Sequence, residues 1–358
     1  MKKLMAGVLS AIVLLGAVTF SGCEEKTFDF GGQVFDYDVT EIEVFDVDYS
    51  DLSFDELEKC EQLSSLTLEN CGISDLSQIG KLTGLKRLTL KGNIISDLSA
   101  LSGLTQLQTL VVSENNIEDI SIVSKFPELT YLDFGKNPVS DISVVGSLKK
   151  LETLYADETA VTDVSPVMGL KEMKELYLGN DEISSLDGIS ELEYLRTLDV
   201  FSTGMTDIEQ ICSLPQMRAL YLGDNPGITD FSPITKLDKL EILHVENCSV
   251  EDVSPFASLP ALSELVITND AVRDIMPLAS LETLKTLNIE GDYMVSKEAL
   301  EEFTAACPNC EVIHSELKTA SEVAKLYPEL TEEDKKKAAL ERERERFADE
   351  VLDKLGQS

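Results

Sequence analysis

The sequence predicts an α/β solenoid: a curved stack of short repeats with a parallel β-sheet on its concave side. Short 3-10 or turn segments form the convex side, and a helical cap and tail close the C-terminal end. Three observations carry this. A leucine or methionine heads each unit, at Leu63, Leu85, Leu107, Leu129, Leu151, Met173, Leu195, Met217, Leu240, Leu262 and Leu284, every 22 residues except for one interval of 23 where Gly227 is inserted. Within a unit, counting from that head, apolar residues at positions 4 and 6 alternate with polar ones, as in a short strand buried on one face. A single unit cannot bury its apolar residues alone, so neighbouring units must stack and their strands must join.

The chain opens with "MKKLMAGVLSAIVLLGAVTFSGC". Two lysines, an apolar run from Leu4 to Phe20 and a charged stretch directly afterwards make residues 1–22 an export signal rather than a membrane helix. Ser21 and Gly22 before Cys23 resemble a bacterial lipobox, with Phe20 where that motif usually has Leu. The resemblance implies cleavage before Cys23 and lipid on its thiol. It thus implies an exported chain anchored to the bacterial membrane and facing the extracellular or periplasmic side.

The remaining elements follow in order. Residues 23–38 are expected to form a lipidated tether and an N-terminal edge strand, because "KTFDFGGQVFDYD" alternates apolar and polar residues. The repeats occupy residues 39–294, beginning with a degenerate copy in which Val39, Ile42 and Val44 fill the apolar slots and Asp51-Leu52-Ser53 echoes the later D-I-S. Twelve such units at roughly 4.8 Å per strand give an arc of about 55 Å. A capping unit spans 295–318, where "VSKEALEEFTAACPNCEVI" reads as a helix from Ser296 to Ala306 and then a strand. Residues 319–358 form a charged helical tail, with Thr331 as N-cap and a thin stripe of Leu340, Phe347, Val351 and Leu355. A solvated tail is the expectation, and docking on a partner is the alternative.

Two recurrent positions serve the scaffold. Position 9 holds Asn93, Asn115, Asn137 and Asn225, whose amides suit the backbone of adjacent turns, and Cys71 and Cys248 as small core thiols in the same slot. Asn115→Leu is expected to cost on the order of 1–3 kcal/mol through unsatisfied backbone groups. Position 13 holds nine aspartates, from Asp75 to Asp274, read as caps of the convex turn rather than as calcium ligands, since no D-x-D-x-D-G loop accompanies them. Pro166, Pro233, Pro255 and Pro277, three residues later, stiffen that segment. "CPNC" at 307–310 reads as a core cysteine and a turn rather than as a redox pair, and a bond from Cys60 to Cys71 is left open.

The composite unit, L-x-x-L-x-L-x-x-N-x-I-x-D-I-S, resembles the 22-residue leucine-rich repeat of bacterial internalin-type surface proteins over residues 39–294. "VSKEALEEFTAACPNCEVI" is similar to the terminal unit of ribonuclease-inhibitor-like repeat proteins. The resemblance implies a leucine-rich repeat arc that recognises a protein partner.

If the repeated letters build the scaffold, function lies in those that vary. The net charge of −36, with 66 acidic against 30 basic residues, disfavours nucleic acid. Removing residues 1–22 deletes Lys2 and Lys3 and no acid, taking −36 to −38. Position 5 places Asp133, Tyr155, Tyr177, Asp199, Tyr221 and His244 in one column, with Tyr131 and Phe201 in adjacent columns. Asp157, Glu158, Asp224 and Glu246 surround them. Exposed tyrosines with a carboxylate rim suit a protein or peptide with a basic surface, through ion pairs and cation–π contacts. Two other readings are a carbohydrate-binding protein, disfavoured by the absence of Trp, and an envelope-assembly component acting through the tail. His244 and His314 are the only histidines, and no H-E-x-x-H, G-x-S-x-G or phosphate loop occurs, so neither catalysis nor a metal or cofactor is expected.

Overall fold

The computed structural model describes residues 27–326, apart from 49–51, 53, 184 and 293. The export signal, Cys23, the Asp51 and Ser53 of the first D-L-S and the apolar stripe of the tail lie outside the described residues. Among the described residues thirteen parallel strands form one sheet in chain order, each inner strand pairing with the unit before and the unit after. Twelve come from the repeats, from Glu41–Phe45 to Thr286–Asn288. The thirteenth, Glu311–Ile313, follows the helix Lys297–Ala306, whose N-cap Ser296 accepts a hydrogen bond from Ala299 N at 3.2 Å. The α/β leucine-rich repeat arc read from the period is therefore the fold observed.

Register repeats with the sequence period: Leu88 pairs with Leu110 and Leu110 with Leu132. Gly227 does not disturb it, because Leu220 pairs with Leu243. The inserted residue sits in the turn after the strand. A Cβ there would lie 2.7 Å from Thr206 Cγ2, so no larger residue fits without a shift. Leucines at positions 1, 4 and 6 are fully buried and merge into a single core running the length of the arc. The first two strands of this sheet have five residues and the later ones three, and beyond each strand of a regular unit the chain turns at position 8. That residue is left-handed in successive units, as at Asn70 (φ 56°), Glu114 (φ 57°), Asp224 (φ 56°) and Gly291 (φ 78°). The recurrence of Asn, Asp and Gly at this position reflects their tolerance of positive φ.

The N-terminal segment differs from the expected edge strand. Thr27–Phe30 and Gln33–Asp36 pair with each other, antiparallel, and stay outside the main sheet. The reason is the turn: Gly31 and Gly32 both have positive φ, at 62° and 76°, and fold the chain back after four residues. The hairpin then lies across the open end of the core. Phe30 is buried edge-on against Phe54, with ring centroids 5.5 Å apart, and a Cβ on Gly31 would meet Val44 at 2.8 Å.

On the convex side, every one of the nine aspartates at position 13 accepts a hydrogen bond on Oδ1 from the backbone N–H two residues later. The nine distances run from 2.7 Å at Ser99 and Ser121 to 2.9 Å at Ser165. The 3-10 turns begin there, for example Ser99–Gly103 and Ser121–Lys125. Asp119→Ala should lower the melting temperature by about 2 °C, while Asp119→Asn, which keeps the acceptor, should leave it unchanged; a thermal melt distinguishes them.

Cys60 Sγ donates to Glu56 O at 3.7 Å and Cys71 Sγ to Glu69 O at 3.2 Å, so the two thiols serve different carbonyls. Burial raises the pKa of the Cys212 and Cys248 thiols to about 12, as suits core residues.

Candidate functional site

Parallel pairing places Asp133 beside Tyr155, Tyr155 beside Tyr177, Tyr177 beside Asp199, Asp199 beside Tyr221 and Tyr221 beside His244. The column read from the repeat is thus one row of neighbours, all half-buried on the concave face. The Tyr155 and Tyr177 rings stack face to face, centroids 4.0 Å apart and 6° from parallel. Tyr131, two residues before Asp133 on its strand, tilts toward Tyr155 at 5.6 Å. Tyr221 meets His244 edge-on at 4.8 Å, and His244 Nε2 lies 3.0 Å from Glu264 Oε1. Asp199 divides the aromatic row into two groups, a partition with direct chemical consequences.

The carboxylates of this face are held by the strand ends. Asp133 Oδ2 accepts from Ser113 Oγ at 2.8 Å and Oδ1 from Gly135 N at 3.0 Å. Asp199 Oδ1 accepts from Phe201 N at 2.9 Å. Burial pushes the pKa of Asp133, Asp157 and Asp199 upward, and neighbouring carboxylates add to it. Burial likewise raises Tyr131, Tyr177 and Tyr221, so their hydroxyls stay protonated and able to donate.

Position 7 shows how the rim is shaped. Gly135, Asp157, Gly179, Phe201, Gly223 and Glu246 alternate small and large along successive units. The large members lie over the glycines: a Cβ on Gly135 would meet Asp157 Oδ1 at 2.9 Å, and one on Gly223 would meet Glu246 Cδ at 2.6 Å and Phe201 Cδ2 at 2.9 Å. Asp157, Phe201 and Glu246 are therefore set by glycines that the variable-position reading passed over, although the alternation itself is visible in the aligned units. Asp224 differs from the others, standing at the left-handed corner beyond the strand end. Glu158 occupies the same corner and pairs with Lys136 at 3.6 Å; Lys136 in turn reaches Glu114 at 3.5 Å, which also binds Lys91 at 3.4 Å. The lysines near this face are engaged at its N-terminal half.

Position 9 contains more than the asparagines and cysteines. Thr159, Asp181, Thr203, Asp270 and Asp292 occupy the same slot. Asp270 Oδ1 accepts from Cys248 N at 3.1 Å and Val250 N at 2.9 Å, the bonds an asparagine would make. The oxygens Asp270 Oδ2 and Asp292 Oδ2 are buried and have no partner.

No group of three or more His, Cys, Asp or Glu among the described residues could hold a metal ion, and no helix among them is long and apolar enough to cross a membrane. The leucine-rich repeat pattern matches residues 105–147, in two copies. No curated protein matches the sequence significantly. Among solved structures, an internalin (inlF) from Listeria monocytogenes is 23% identical, with 81% of this chain and 85% of that one covered and a TM-score of 0.61. The leucine-rich repeat ectodomain of the Arabidopsis thaliana receptor kinase GASSHO1/SCHENGEN3, solved with CASPARIAN STRIP INTEGRITY FACTOR 2, is 18% identical over 73% of this chain and 34% of that one, with a TM-score of 0.57. The plant peptide hormone receptor RGFR1, solved with RGF2, is 17% identical over 73% and 45%, with a TM-score of 0.55. The chain carries leucine-rich repeats and folds as a leucine-rich repeat solenoid similar to that of the Listeria internalins.

Proposed function

We propose that this is a non-catalytic bacterial surface lipoprotein, tethered through Cys23, whose concave face binds a protein or peptide with a basic surface. The observation that carries the reading is the half-buried row of Tyr131, Tyr155, Tyr177 and Tyr221 set among the carboxylates of Asp133, Asp157, Asp199 and Glu246. Aromatic side chains offer large contact area at low entropic cost, and a carboxylate rim selects cationic partners. Two plant receptors of similar fold were solved in complex with RGF2 and with CASPARIAN STRIP INTEGRITY FACTOR 2, which agrees with recognition by such an arc.

The test is a crosslinking capture with residues 24–358. A variant carrying Tyr155→Ala, Tyr177→Ala and Tyr221→Ala should lose a partner that the parent chain retains, with circular dichroism confirming that the arc is intact. Capture should also weaken as ionic strength rises, whereas binding of a neutral sugar would not. Equal capture by both chains would remove the concave face from consideration.

A further inference from the structure

The row of position-5 side chains is broken by one short residue. Tyr177 and Tyr221 belong to strands separated by a single intervening strand, so their backbones stand roughly 10 Å apart. Their rings do not close that interval. The Tyr155 and Tyr177 rings stack 4.0 Å apart, inside the strand spacing of about 4.8 Å, whereas among the described residues no ring contact joins Tyr177 to Tyr221. Tyr221 is engaged on its other side by His244. Between them the floor is the Asp199 carboxylate. Its Oδ1 is used by Phe201 N, and its Oδ2 has no protein donor among the described residues. Next to it Glu246 lies over Gly223 and against Phe201, with Oε2 buried and unpartnered. The electrostatic neighbours of Asp199 include the carboxylates of Asp157 and Glu246 and the imidazole of His244.

We propose that this notch, walled by Tyr177 and Tyr221 and floored by Asp199 and Glu246, receives an arginine side chain of the bound partner. The inference rests on the concave-face reading above and names the chemistry at its centre. A planar guanidinium in van der Waals contact with a ring on each side needs about 7 Å between the rings, which the interval accommodates. Its N–H fork can meet Asp199 Oδ2 and Glu246 together while its faces meet the two tyrosines. An ammonium has neither the plane nor the fork, so lysine fits less well. Asp133, at the other end of the Tyr155–Tyr177 stack, offers no second site of this kind. Both of its oxygens already accept bonds, from Ser113 and Gly135, and Lys91 stands nearby.

Because the chain has no Trp, its emission comes from nine tyrosines, two of which wall the notch, and the Tyr221→Leu variant shows which part of a change arises there. The probes are three acetylated and amidated tripeptides with glycine on either side of arginine, lysine or citrulline, titrated at low ionic strength. The arginine peptide should change the emission saturably, and the lysine peptide should bind about fivefold more weakly or worse. The citrulline peptide, which keeps the shape and loses the charge, should not bind measurably. Asp199→Asn retains the acceptor for Phe201 N and so should fold normally, yet it should weaken the arginine peptide by about tenfold or more. Tyr221→Leu, which removes a wall, should do likewise, and Asp119→Asn, at a capping aspartate of the convex side, should have no effect.

Undiminished arginine binding by Asp199→Asn, or equal binding of arginine and lysine peptides, would overturn the proposal. If either happens while capture of a macromolecular partner still depends on Tyr155, Tyr177 and Tyr221, the notch assignment fails and the concave-face reading stands. If arginine binding depends on Asp199 but the triple variant captures partners as the parent does, the notch stands and the macromolecule belongs elsewhere.

Discussion

Asn225→Leu is expected to destabilise the arc by on the order of 4 kcal/mol, more than the same change at Asn115. Asn225 has no exposed surface. Its Oδ1 accepts from Thr203 N at 3.2 Å and Met205 N at 2.9 Å, and lies 3.4 Å from Thr203 Oγ1. Its Nδ2 donates to Val200 O, Leu222 O and Gly223 O at 2.8 to 3.1 Å. Leucine matches the size but leaves the Thr203 and Met205 N–H groups without an acceptor, each an uncompensated buried donor costing about 1–3 kcal/mol before relaxation, and it takes one donor from three carbonyls that keep only Thr203 Oγ1, Cys248 Sγ and Ser202 N. Asn115 has the same three carbonyl contacts but receives one backbone N–H, from Ile95. A urea titration followed by circular dichroism measures the shift in midpoint for both variants. Asn225→Leu unfolding at the parental midpoint would show that neighbouring turns re-pair without the amide.

The second large effect concerns pH, and its direction opposes the usual behaviour of carboxylates. In asparagine units the atom facing the inner carbonyls is Nδ2, a donor. In Asp270 and Asp292 the corresponding Oδ2 is buried with no partner. An ionised carboxylate there would face only acceptors, so the folded state favours the neutral acid, whose hydroxyl can donate. Burial raises Asp270 to about 8 and Asp292 to about 7, and Asp181, held by Thr159, also to about 7. The unfolded chain titrates near the ordinary value of about 3.9. The folded state therefore binds more protons across the interval, and stability from these groups is fully present below about pH 4 and is lost as pH rises toward 8.

The capping aspartates act in the opposite sense. Hydrogen bonds from the serine two residues on hold Asp97, Asp141, Asp163, Asp230 and Asp252 below the ordinary range, so their contribution is lost as pH falls through those depressed values. The melting temperature should accordingly be highest in mildly acidic buffer and lower at pH 8. The overall charge of −36 also repels itself less on mild acidification, so one variant isolates the buried acid. Asp270→Asn should raise stability at pH 8 by on the order of 2 kcal/mol and flatten the slope between pH 5 and 8. A variant less stable than the parent at pH 8 would refute the neutral-acid assignment.

Much of this molecule is written in its period. The 22-residue spacing, the apolar positions 4 and 6 and the aspartate at position 13 each recur often enough that accident is no alternative, and each maps onto a strand, a buried row or a turn cap. The column of Tyr155, Tyr177 and Tyr221 was legible for the same reason, since in a parallel stack equal positions become neighbours. The N-terminal hairpin was not, because alternation fits a strand of any pairing and only the conformation of Gly31 and Gly32 selects the hairpin.

The arc, the order of its units and the list of side chains on the concave face follow from the repeat length and from parallel register, and both are legible in the chain. Tertiary structure alone decided how those side chains share space. That Tyr155 and Tyr177 stack face to face, that both oxygens of Asp133 accept bonds while only Oδ1 of Asp199 does, and that Glu246 lies over Gly223 all depend on contacts between units. The period fixes where each Cβ starts; steric and hydrogen-bonding competition among neighbours from different repeats fixes where each side chain ends.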